Sequence, residues 1–366
     1  MHSQNPEKII ITGTTGTDKL CNNLYRDFVE LLSNIPELAR YASDVLLQKR
    51  ILKTFSGGEI LAKPSETVGD HIVVIVMGLY EYKGTNIYQN YQEAKQLAWA
   101  CKGGGAKKII GIAPTMLHSK QEKKDAARDP LSLQLTLWEL ALAGYNRIIM
   151  VDPHTLAMES MVPSPLFDCR FQMLTARDIF ANDIINNPLL DKEHLVIFSP
   201  DEGGAKRVRL ARDVIKEMGS LQELIASNLF KDHPNNDAGL EIVDISAAKH
   251  ILEKFKNGVD IALIDDFTIT KGTIKKAAKS INDKLHPRSL IVYLTTLVPA
   301  NSDVSSFDDA PYITEVVALD HTPIANLSST IRTISASSEL YAKALKCMIF
   351  GGSISQELFR GSTALK

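Results

Sequence analysis

The stretch VDIALIDDFTITKGT, residues 259–273, contains the pattern from which the fold of the chain can be predicted. Ile261–Ile264 is an unbroken apolar run, which is typical of a strand buried inside a parallel sheet. Asp265 and Asp266 follow at once, and a helical pattern covers residues 273–285. Ligands of open α/β sheets bind beyond the carboxyl ends of strands, and helix N-termini attract anions. The segment therefore predicts a sugar-phosphate site, although an ordinary strand–loop–helix unit has the same pattern.

Apolar runs that alternate with helical patterns extend outward from this stretch over the whole chain. In the N-terminal part they predict strands at Lys8–Gly13, Ile51–Phe55, His71–Met77, Lys108–Pro114 and Arg147–Val151. In the C-terminal part they predict strands at Leu195–Phe198, Leu290–Thr296 and Glu315–Leu319. Strands that alternate with helices are typical of a parallel sheet covered by helices.

Two α/β layers of similar plan are expected, with a boundary near residue 160. The first domain is predicted to span residues 1–160 and the second residues 161–337, and the tail of about 338–366 is expected to pack back on the first. Residues 39–48 are predicted to be helical. Residues 219–245 are predicted to form a loop, because proline, asparagine and aspartate cluster there.

Composition narrows the classes of protein to be considered. The chain has 366 residues, which suggests about two domains, and its net charge of −2 argues against nucleic-acid binding. No apolar run approaches the ~20 residues needed to span a membrane, and the N-terminus has no signal-peptide pattern. The four cysteines are scattered without a CxxC pair. Free thiols in a reduced, cytoplasmic setting are therefore expected.

Polar clusters follow three of the predicted strands. They are DPH at Asp152–His154, SPDEGG at Ser199–Gly204 and the Asp265–Asp266 pair. Histidine and carboxylates at strand ends can share Mg²⁺ with phosphate oxygens, because Mg²⁺ needs few protein ligands. Taken singly, His154 is more often a structural histidine, and Asp201 could equally cap a helix. Their occurrence together favours a metal–phosphate site.

Six motifs of the chain are distinctive, namely FSGGEI (residues 55–60), SKQEKKDAARDPLS (119–132), VDPH (151–154), SPDEGGAKRV (199–208), LIDDFTITKGT (263–273) and SISQELF (353–359). They resemble motifs of one enzyme family, the ribose-phosphate pyrophosphokinases. The second and fourth are the most specific, and the resemblance covers the chain from Phe55 onward. It implies two tandem phosphoribosyltransferase-like domains and a homo-oligomer built from dimers, with a hexamer as the expected assembly.

The family resemblance also implies a reaction. The anomeric hydroxyl of ribose 5-phosphate attacks the β-phosphorus of Mg²⁺-bound ATP, and AMP leaves. Such chemistry consists mostly of positioning and charge neutralisation. The implied cofactor is Mg²⁺ and the implied ligands are ATP and a ribose 5-phosphate-containing acceptor, with no nucleic-acid or membrane partner.

Each motif carries family roles onto residues of this chain. By resemblance, adenine is bound by Phe55 and Glu59 from a neighbouring subunit, and the rest of ATP by Lys120, Gln121, Lys123 and Asp125. The implied metal ligands are His154 and Asp201. The ribose phosphate is expected to contact Asp265, Asp266, Thr268, Thr270, Lys271, Gly272 and Thr273. The catalytic loop aligns best on Lys231 and His233.

Several positions depart from the family pattern. Ile269 stands where the family has aspartate, Lys271 where it has a small residue, and His233 where the mobile loop carries arginine. Arginine binds phosphate as a fixed fork, whereas histidine is mostly uncharged at neutral pH. Lys120 also replaces a family arginine.

These departures leave alternative functions open. Because Lys271 adds a cation beside the expected 5′-phosphate, the acceptor could be ADP-ribose, as in phage relatives that feed nicotinamide into NAD⁺. A catalytically silent paralogue that regulates an active partner is a second alternative. The retained His154, Asp201, Asp265 and Asp266 argue against silence. A phosphoribosyltransferase is disfavoured, since its ATP segments would have no use.

Overall fold

The computed structural model describes residues 7–162, 166–200, 204–231, 240–241, 245–268, 272–298, 307–324 and 328–358. These residues form two compact units. The first unit comprises the described residues of Met1–Leu174, Asp320–Pro323 and Ser335–Glu357, and the second those of Thr175–Leu319, Ile324–Ile334 and Leu358–Lys366. The C-terminal helices therefore belong mostly to the first unit.

The secondary structure alternates between strands and helices. The strands are β1 Ile9–Gly13, β2 Val45–Leu47, β3 Arg50–Thr54, β4 Ile60–Pro64, β5 Ile72–Val76, β6 Lys108–Ile112, β7 Arg147–Val151, β8 Arg170–Leu174, β9 Leu195–Ser199, β10 Ile225–Asn228, β11 Phe230–Lys231, β12 Leu240–Glu241, β13 Asp260–Thr268, β14 Ser289–Leu297, β15 Glu315–Leu319 and β16 Ile331–Ile334. The α-helices are α1 Asp18–Ser33, α2 Ile87–Gly103, α3 Ser132–Ala143, α4 Met158–Met161, α5 Arg177–Asn186, α6 Ala205–Gly219, α7 Ile245–Lys254, α8 Gly272–Leu285, α9 Ala342–Phe350 and α10 Ile354–Leu358.

A six-stranded parallel sheet forms the centre of the first unit, in the order β2-β1-β5-β6-β7-β8. All five residues of β1 and of β5 are buried, as expected for β-branched runs with helices on both sides. The strands β3 and β4 form a separate antiparallel hairpin that begins at Arg50. Of this hairpin, only the first strand is evident in the sequence pattern.

The helix predicted over residues 39–48 is wrong in its second half. Residues Ala39–Asp44 form a 3₁₀-helix, and β2 then pairs in parallel with β1, with Val45 opposite Ile9. Val45 is buried at this edge of the sheet. The packing of an apolar residue against the sheet therefore outweighs the local helical preference.

The second unit is built around a parallel sheet in the order β10-β9-β13-β14-β15-β16. The strand predicted at Ile261–Ile264 is confirmed, and β13 continues past both aspartates to Thr268. The loop predicted over residues 219–245 is wrong at Ile225–Asn228, which form the edge strand β10 beside β9. It is also wrong at Phe230–Lys231 and Leu240–Glu241, which pair as β11 and β12. Within the described ranges, no helix is both long enough and apolar enough to cross a bilayer.

Candidate functional site

Two adjacent carboxylates stand near the carboxyl end of β13 in the second unit. The side chain of Asp265 is 14% exposed and that of Asp266 is 7% exposed. The backbone N–H of Asp266 donates to Oδ1 of Asp265 at 2.9 Å. Since strand carboxyl ends are where open α/β sheets bind ligands, this pair occupies the expected position for a sugar site.

Arg207 is the cation that faces both carboxylates. Its Nη2 donates to Oδ2 of Asp266 at 3.0 Å, and its Nη1 lies 3.5 Å from Oδ1 of Asp265. Burial and the neighbouring Asp266 carboxylate raise the pKa of Asp265 well above its ordinary value, and the Arg207 guanidinium opposes that rise. No pattern in the sequence indicates this role, although Arg207 lies within the SPDEGGAKRV motif.

A glycine sets the start of the helix that carries Arg207. A Cβ atom on Gly204 would lie 2.0 Å from Oγ of Ser199, so no other residue fits without a shift. Helix α6 begins at the next residue, and the Val208 N–H donates to the Gly204 carbonyl at 3.0 Å. This close approach brings the first turn of α6 against the end of β9.

The predicted phosphate-binding loop lies between β13 and α8. Gly272 and Thr273 are the first two residues of α8, and Thr273 is exposed. Thr268 is the last residue of β13, and only its backbone is described. Thr270 and Lys271 lie outside the described residues. The predicted loop is thus preceded by a strand and followed by a helix, which is the order that anion sites at helix N-termini require.

In the first unit, the hairpin turn carries the two residues expected to contact adenine. The Phe55 N–H donates to the Glu59 carbonyl at 2.8 Å, which closes the turn. Both side chains are exposed, and Nζ of Lys53 lies 4.9 Å from the Phe55 ring centroid. The hairpin is attached to α2 through Gln96, which donates to the Ile60 carbonyl at 3.0 Å and accepts from the Ala62 N–H at 2.9 Å.

The segment expected to bind ATP phosphates is an exposed loop between β6 and α3. The side chains of Lys120, Gln121, Lys123 and Asp125 are all exposed. Lys123 and Asp125 form an exposed ion pair at 3.5 Å, a kind of contact that stabilises the fold very little. The loop therefore leaves these side chains exposed at the surface instead of using them in the core.

Tyr88 connects the hairpin with this loop. A cleft of about 690 Å³ is lined by Phe55, Glu59 and Tyr88, among others. The Tyr88 hydroxyl lies 3.4 Å from Nε2 of His118, whose carbonyl accepts the Gln121 N–H at 2.8 Å. The structure thus brings the two segments expected to bind ATP to neighbouring positions within the first unit. Burial lowers the pKa of His118, so its ring is neutral at neutral pH.

The predicted metal ligands and catalytic-loop residues are described by the structure only in part. His154 is exposed in the turn after β7, where Asp152 has a φ of 40° and its N–H donates to the Leu174 carbonyl at 2.9 Å. The backbone of Lys231 belongs to β11, whereas its side chain is not described. Asp201 and His233 lie outside the described residues.

The first unit also contains a buried polar network that no pattern in the sequence indicates. The Glu93 side chain is only 2% exposed and forms an ion pair with Nε of Arg50. Glu93 also accepts from the N–H and hydroxyl of Thr15, at 3.1 Å and 2.7 Å, and Nη2 of Arg50 lies 3.0 Å from the same hydroxyl. Because Arg50 begins β3, the network fixes the base of the Phe55 hairpin. The one possible sign of this network in the sequence is that Glu93 falls on the face of α2 that is buried.

Comparisons with known proteins point to one group of enzymes. Residues 19–144 match the model for the N-terminal domain of ribose phosphate pyrophosphokinase. The chain is 28% identical over 249 residues to a ribose-phosphate pyrophosphokinase of Aquifex aeolicus, which covers 68% of this chain and 71% of that protein. It is 26% identical over 352 residues to the enzyme of that name from Mycoplasmopsis pulmonis, covering 88% and 99%.

A solved structure supports the architecture of both units. The phosphoribosylpyrophosphate synthetase of Mycobacterium smegmatis superposes with a TM-score of 0.71 at 22% sequence identity, covering 94% of this chain and 100% of that one. The predicted fold class is confirmed: the chain has two tandem phosphoribosyltransferase-like α/β domains with parallel sheets covered by helices. The predicted resemblance to the ribose-phosphate pyrophosphokinase family is confirmed, and identities of 26–28% make this chain a divergent relative of those enzymes.

Proposed function

We propose that the chain transfers the diphosphoryl group of ATP to the anomeric hydroxyl of a ribose 5-phosphate moiety. The observation that carries this proposal is the Asp265–Asp266 pair, faced by Arg207 at the end of β13 and followed by the start of α8. In the reaction the anomeric oxygen bonds to the β-phosphorus, the bond from that phosphorus to the α,β-bridging oxygen breaks, and AMP leaves. The hydroxyl proton is released.

The acceptor is bound by the second unit in this proposal. Asp265 and Asp266 accept hydrogen bonds from the ribose hydroxyls, and Arg207 holds the two carboxylates in place. Thr268, Thr270, Gly272 and Thr273 surround the 5′-phosphate at the start of α8, where free N–H groups favour an anion. Lys231 and His233 of the catalytic loop face the transferred group.

ATP is bound by residues of the first unit in this proposal. Phe55 stacks on adenine and Glu59 accepts from it, while Lys120, Gln121 and Lys123 contact the phosphates. Asp125, whose carboxylate lies 3.5 Å from Nζ of Lys123, belongs to the same ATP-binding segment. The exposure of all these side chains is consistent with a ligand, or a neighbouring subunit of a homo-oligomer, covering them.

The donor chemistry of the site fits Mg²⁺. In the part of the chain that is described, no group of three or more His, Cys, Asp or Glu is arranged to hold a metal ion. Mg²⁺ commonly binds through one or two protein ligands plus phosphate oxygens and water, so His154 and Asp201 would be sufficient. The ion, when bound, would neutralise charge on the triphosphate.

The Arg50–Glu93 network predicts a selective effect on ATP binding. Replacing Glu93 with Gln leaves the Arg50 guanidinium with only the exposed Asp18 carboxylate, 3.7 Å away, as a counter-charge, and loosens the hairpin that presents Phe55. We expect the KM for ATP to rise about tenfold or more, while the KM for the acceptor changes little. Steady-state kinetics with each substrate varied would measure both constants.

The control for this prediction is Glu66→Gln, which removes an exposed carboxylate on the same unit. Equal rises in both KM values, or an ATP KM matching that of the control, would show that Glu93 stabilises the fold without positioning the hairpin.

A second acceptor is favoured by one sequence feature. Lys271 adds a cation beside the expected 5′-phosphate, where the family has a small residue. A second phosphate, as in ADP-ribose, would give this cation a partner. The same transfer would then produce ADP-ribose pyrophosphate, a precursor suited to NAD⁺ synthesis.

Substrate trials test the proposed function directly. The chain is incubated with Mg²⁺ and ATP plus either ribose 5-phosphate or ADP-ribose, and AMP is measured. AMP with ribose 5-phosphate supports phosphoribosyl pyrophosphate synthesis, and AMP with ADP-ribose alone supports the variant acceptor. Absence of AMP with both, together with binding to an active relative, would favour a regulatory paralogue and contradict the proposal.

Lys271→Ala tests whether Lys271 contacts the acceptor. We expect it to raise the KM for the acceptor by about tenfold and to leave the KM for ATP nearly unchanged, because one charged contact to phosphate is lost. Lys279→Ala is the matched control, since Lys279 is exposed on α8 and pairs only with Asp283 among the interactions described. An unchanged acceptor KM in Lys271→Ala would show that Lys271 does not bind the acceptor.

A further inference from the structure

A basic cleft lies at the amino-terminal edge of the first sheet, opposite the strand ends that carry His154. The cleft has a volume of about 470 Å³ and is lined by Lys107, Lys108, Arg147 and Arg170, among others. Lys108 is the first residue of β6, Arg147 of β7 and Arg170 of β8. Three neighbouring parallel strands thus each begin with a cation.

The register of the strands places these three cations on one face of the sheet. Arg147 pairs directly with Arg170, and Ile110 pairs with Arg147. Lys108 precedes Ile110 by two residues, so its side chain points to the same face. Neighbouring strands lie about 4.8 Å apart, which brings the three charged groups within reach of one small ligand.

Acidic groups in the cleft compensate for only part of this charge. The four cations face two acids, Glu7 and Asp168, which leaves a surplus of two positive charges. Glu7 pairs with Lys107 at 2.7 Å, and Asp168 accepts from Nδ2 of Asn146 at 2.9 Å. Over the described ranges, no acidic side chain hydrogen-bonds with Arg147 or Arg170.

The basic groups also repel one another. Burial, and next the Arg147 charge, lower the pKa of Lys108, and burial followed by the Arg170 charge lowers that of Arg147. Like charges directly opposite on neighbouring strands are destabilising. A bound anion would remove this cost.

Helix capping accounts for one of the cations and not for the others. Nζ of Lys108 donates to the Met348 carbonyl at 3.1 Å, near the end of α9, where a cation is favourable. The Arg147 and Arg170 guanidinium groups make no such bond among the described residues. Their planar forks match the oxygens of a tetrahedral oxyanion, which a lysine point charge does not.

We infer that this cleft binds the phosphate group of a small metabolite, with Arg147 and Arg170 as its principal donors and Lys108 as a third. The chemistry is that of a dianionic tetrahedral oxyanion, supplied either as inorganic phosphate or as a phosphomonoester. The site is separate from the candidate ATP and acceptor residues and would exist whether or not the proposed reaction is correct.

Chemical modification of arginine tests the site through one of its proposed donors, Arg170. The full chain is treated with phenylglyoxal, which reacts with arginine, in the presence of inorganic phosphate or glycerol phosphate, and labelling is located by mass spectrometry. We expect either anion to lower labelling of the exposed Arg170 at least fivefold while labelling of Arg209, exposed on α6, is unchanged. Protection by only one of the two anions identifies the source. Absence of protection by both, or equal protection of Arg209, would overturn the inference.

Two variants then test the other donors with Arg170 as the reporter. In Lys108→Gln and in Arg147→Gln, the anion concentration needed for half-protection should rise about tenfold or more, since each removes a charged hydrogen-bond donor. Lys102→Gln, which removes an exposed lysine of α2 outside the cleft, should leave it unchanged. Unaltered half-protection in Lys108→Gln would exclude Lys108, and unaltered values in both variants would reject the site.

Discussion

Asp265→Asn is expected to abolish turnover and, at the same time, to make the ligand-free protein more stable. Burial and the adjacent Asp266 carboxylate raise the pKa of Asp265, so its ionised form costs free energy in the folded state at neutral pH. Asparagine keeps the shape and removes the charge. We expect a gain on the order of 1 kcal/mol, or about 2–4 °C in Tm, measured by thermal unfolding, alongside a fall in kcat of at least about 100-fold.

The pH dependence gives this prediction a sign that can be checked. A carboxyl group whose pKa is raised by folding binds its proton in both states at low pH, so the variant and the wild type should then be similarly stable. As the pH rises above the ordinary carboxyl value of about 4, the unfolded state loses its proton first and the wild type loses stability relative to Asp265→Asn. The advantage of the variant should therefore grow toward neutral pH.

Asp283→Asn is the matched control, because Asp283 is exposed on α8 of the same unit. It should change neither kcat nor the pH dependence of stability. If Asp265→Asn lowered Tm at neutral pH, the carboxylate would be stabilising in the folded state and the electrostatic argument would fail. If both kcat and the KM for the acceptor were retained, Asp265 would have no part in binding the acceptor.

Asp265 is expected to serve turnover at a cost in stability, and this explains why the site was predictable from the sequence. An apolar run such as Ile261–Ile264 forms a buried strand because a helix-covered parallel sheet removes both of its faces from water. The residues that follow the run then lie toward the carboxyl end of that strand. Two aspartates at that end contribute little to folding, so their presence indicates a ligand. Local pattern and site chemistry thus coincide at β13.

Other parts of the structure depend on contacts between distant residues, which no local pattern contains. Arg50 and Glu93 are 43 positions apart, and either one alone would be read as an ordinary surface charge. Val45 joins the sheet only because β1 is present to pair with it. The three cations of the basic cleft become neighbours through strand order and register. Strands and motifs can be recognised in the sequence, whereas the contacts between distant residues become visible only in the folded structure.

His154→Ala is expected to lower kcat by at least about 100-fold without unfolding the protein. His154 is exposed in the turn after β7, so its removal leaves no cavity in the core. Its expected role is to hold Mg²⁺ beside the triphosphate, and loss of a metal ligand weakens both metal binding and charge neutralisation. Turnover measured over a range of Mg²⁺ concentrations should recover partly at high Mg²⁺, while Tm in the absence of ligands should match the wild type.

Asp201→Asn should behave in the same way, since Asp201 is the second expected ligand. His250→Ala removes another exposed histidine and serves as the control, with kcat and the Mg²⁺ dependence unchanged. Near-normal turnover in both His154→Ala and Asp201→Asn would remove the metal assignment. A large loss of Tm in His154→Ala would instead show a structural role, because a side chain that acts only on a bound metal does not affect the ligand-free fold.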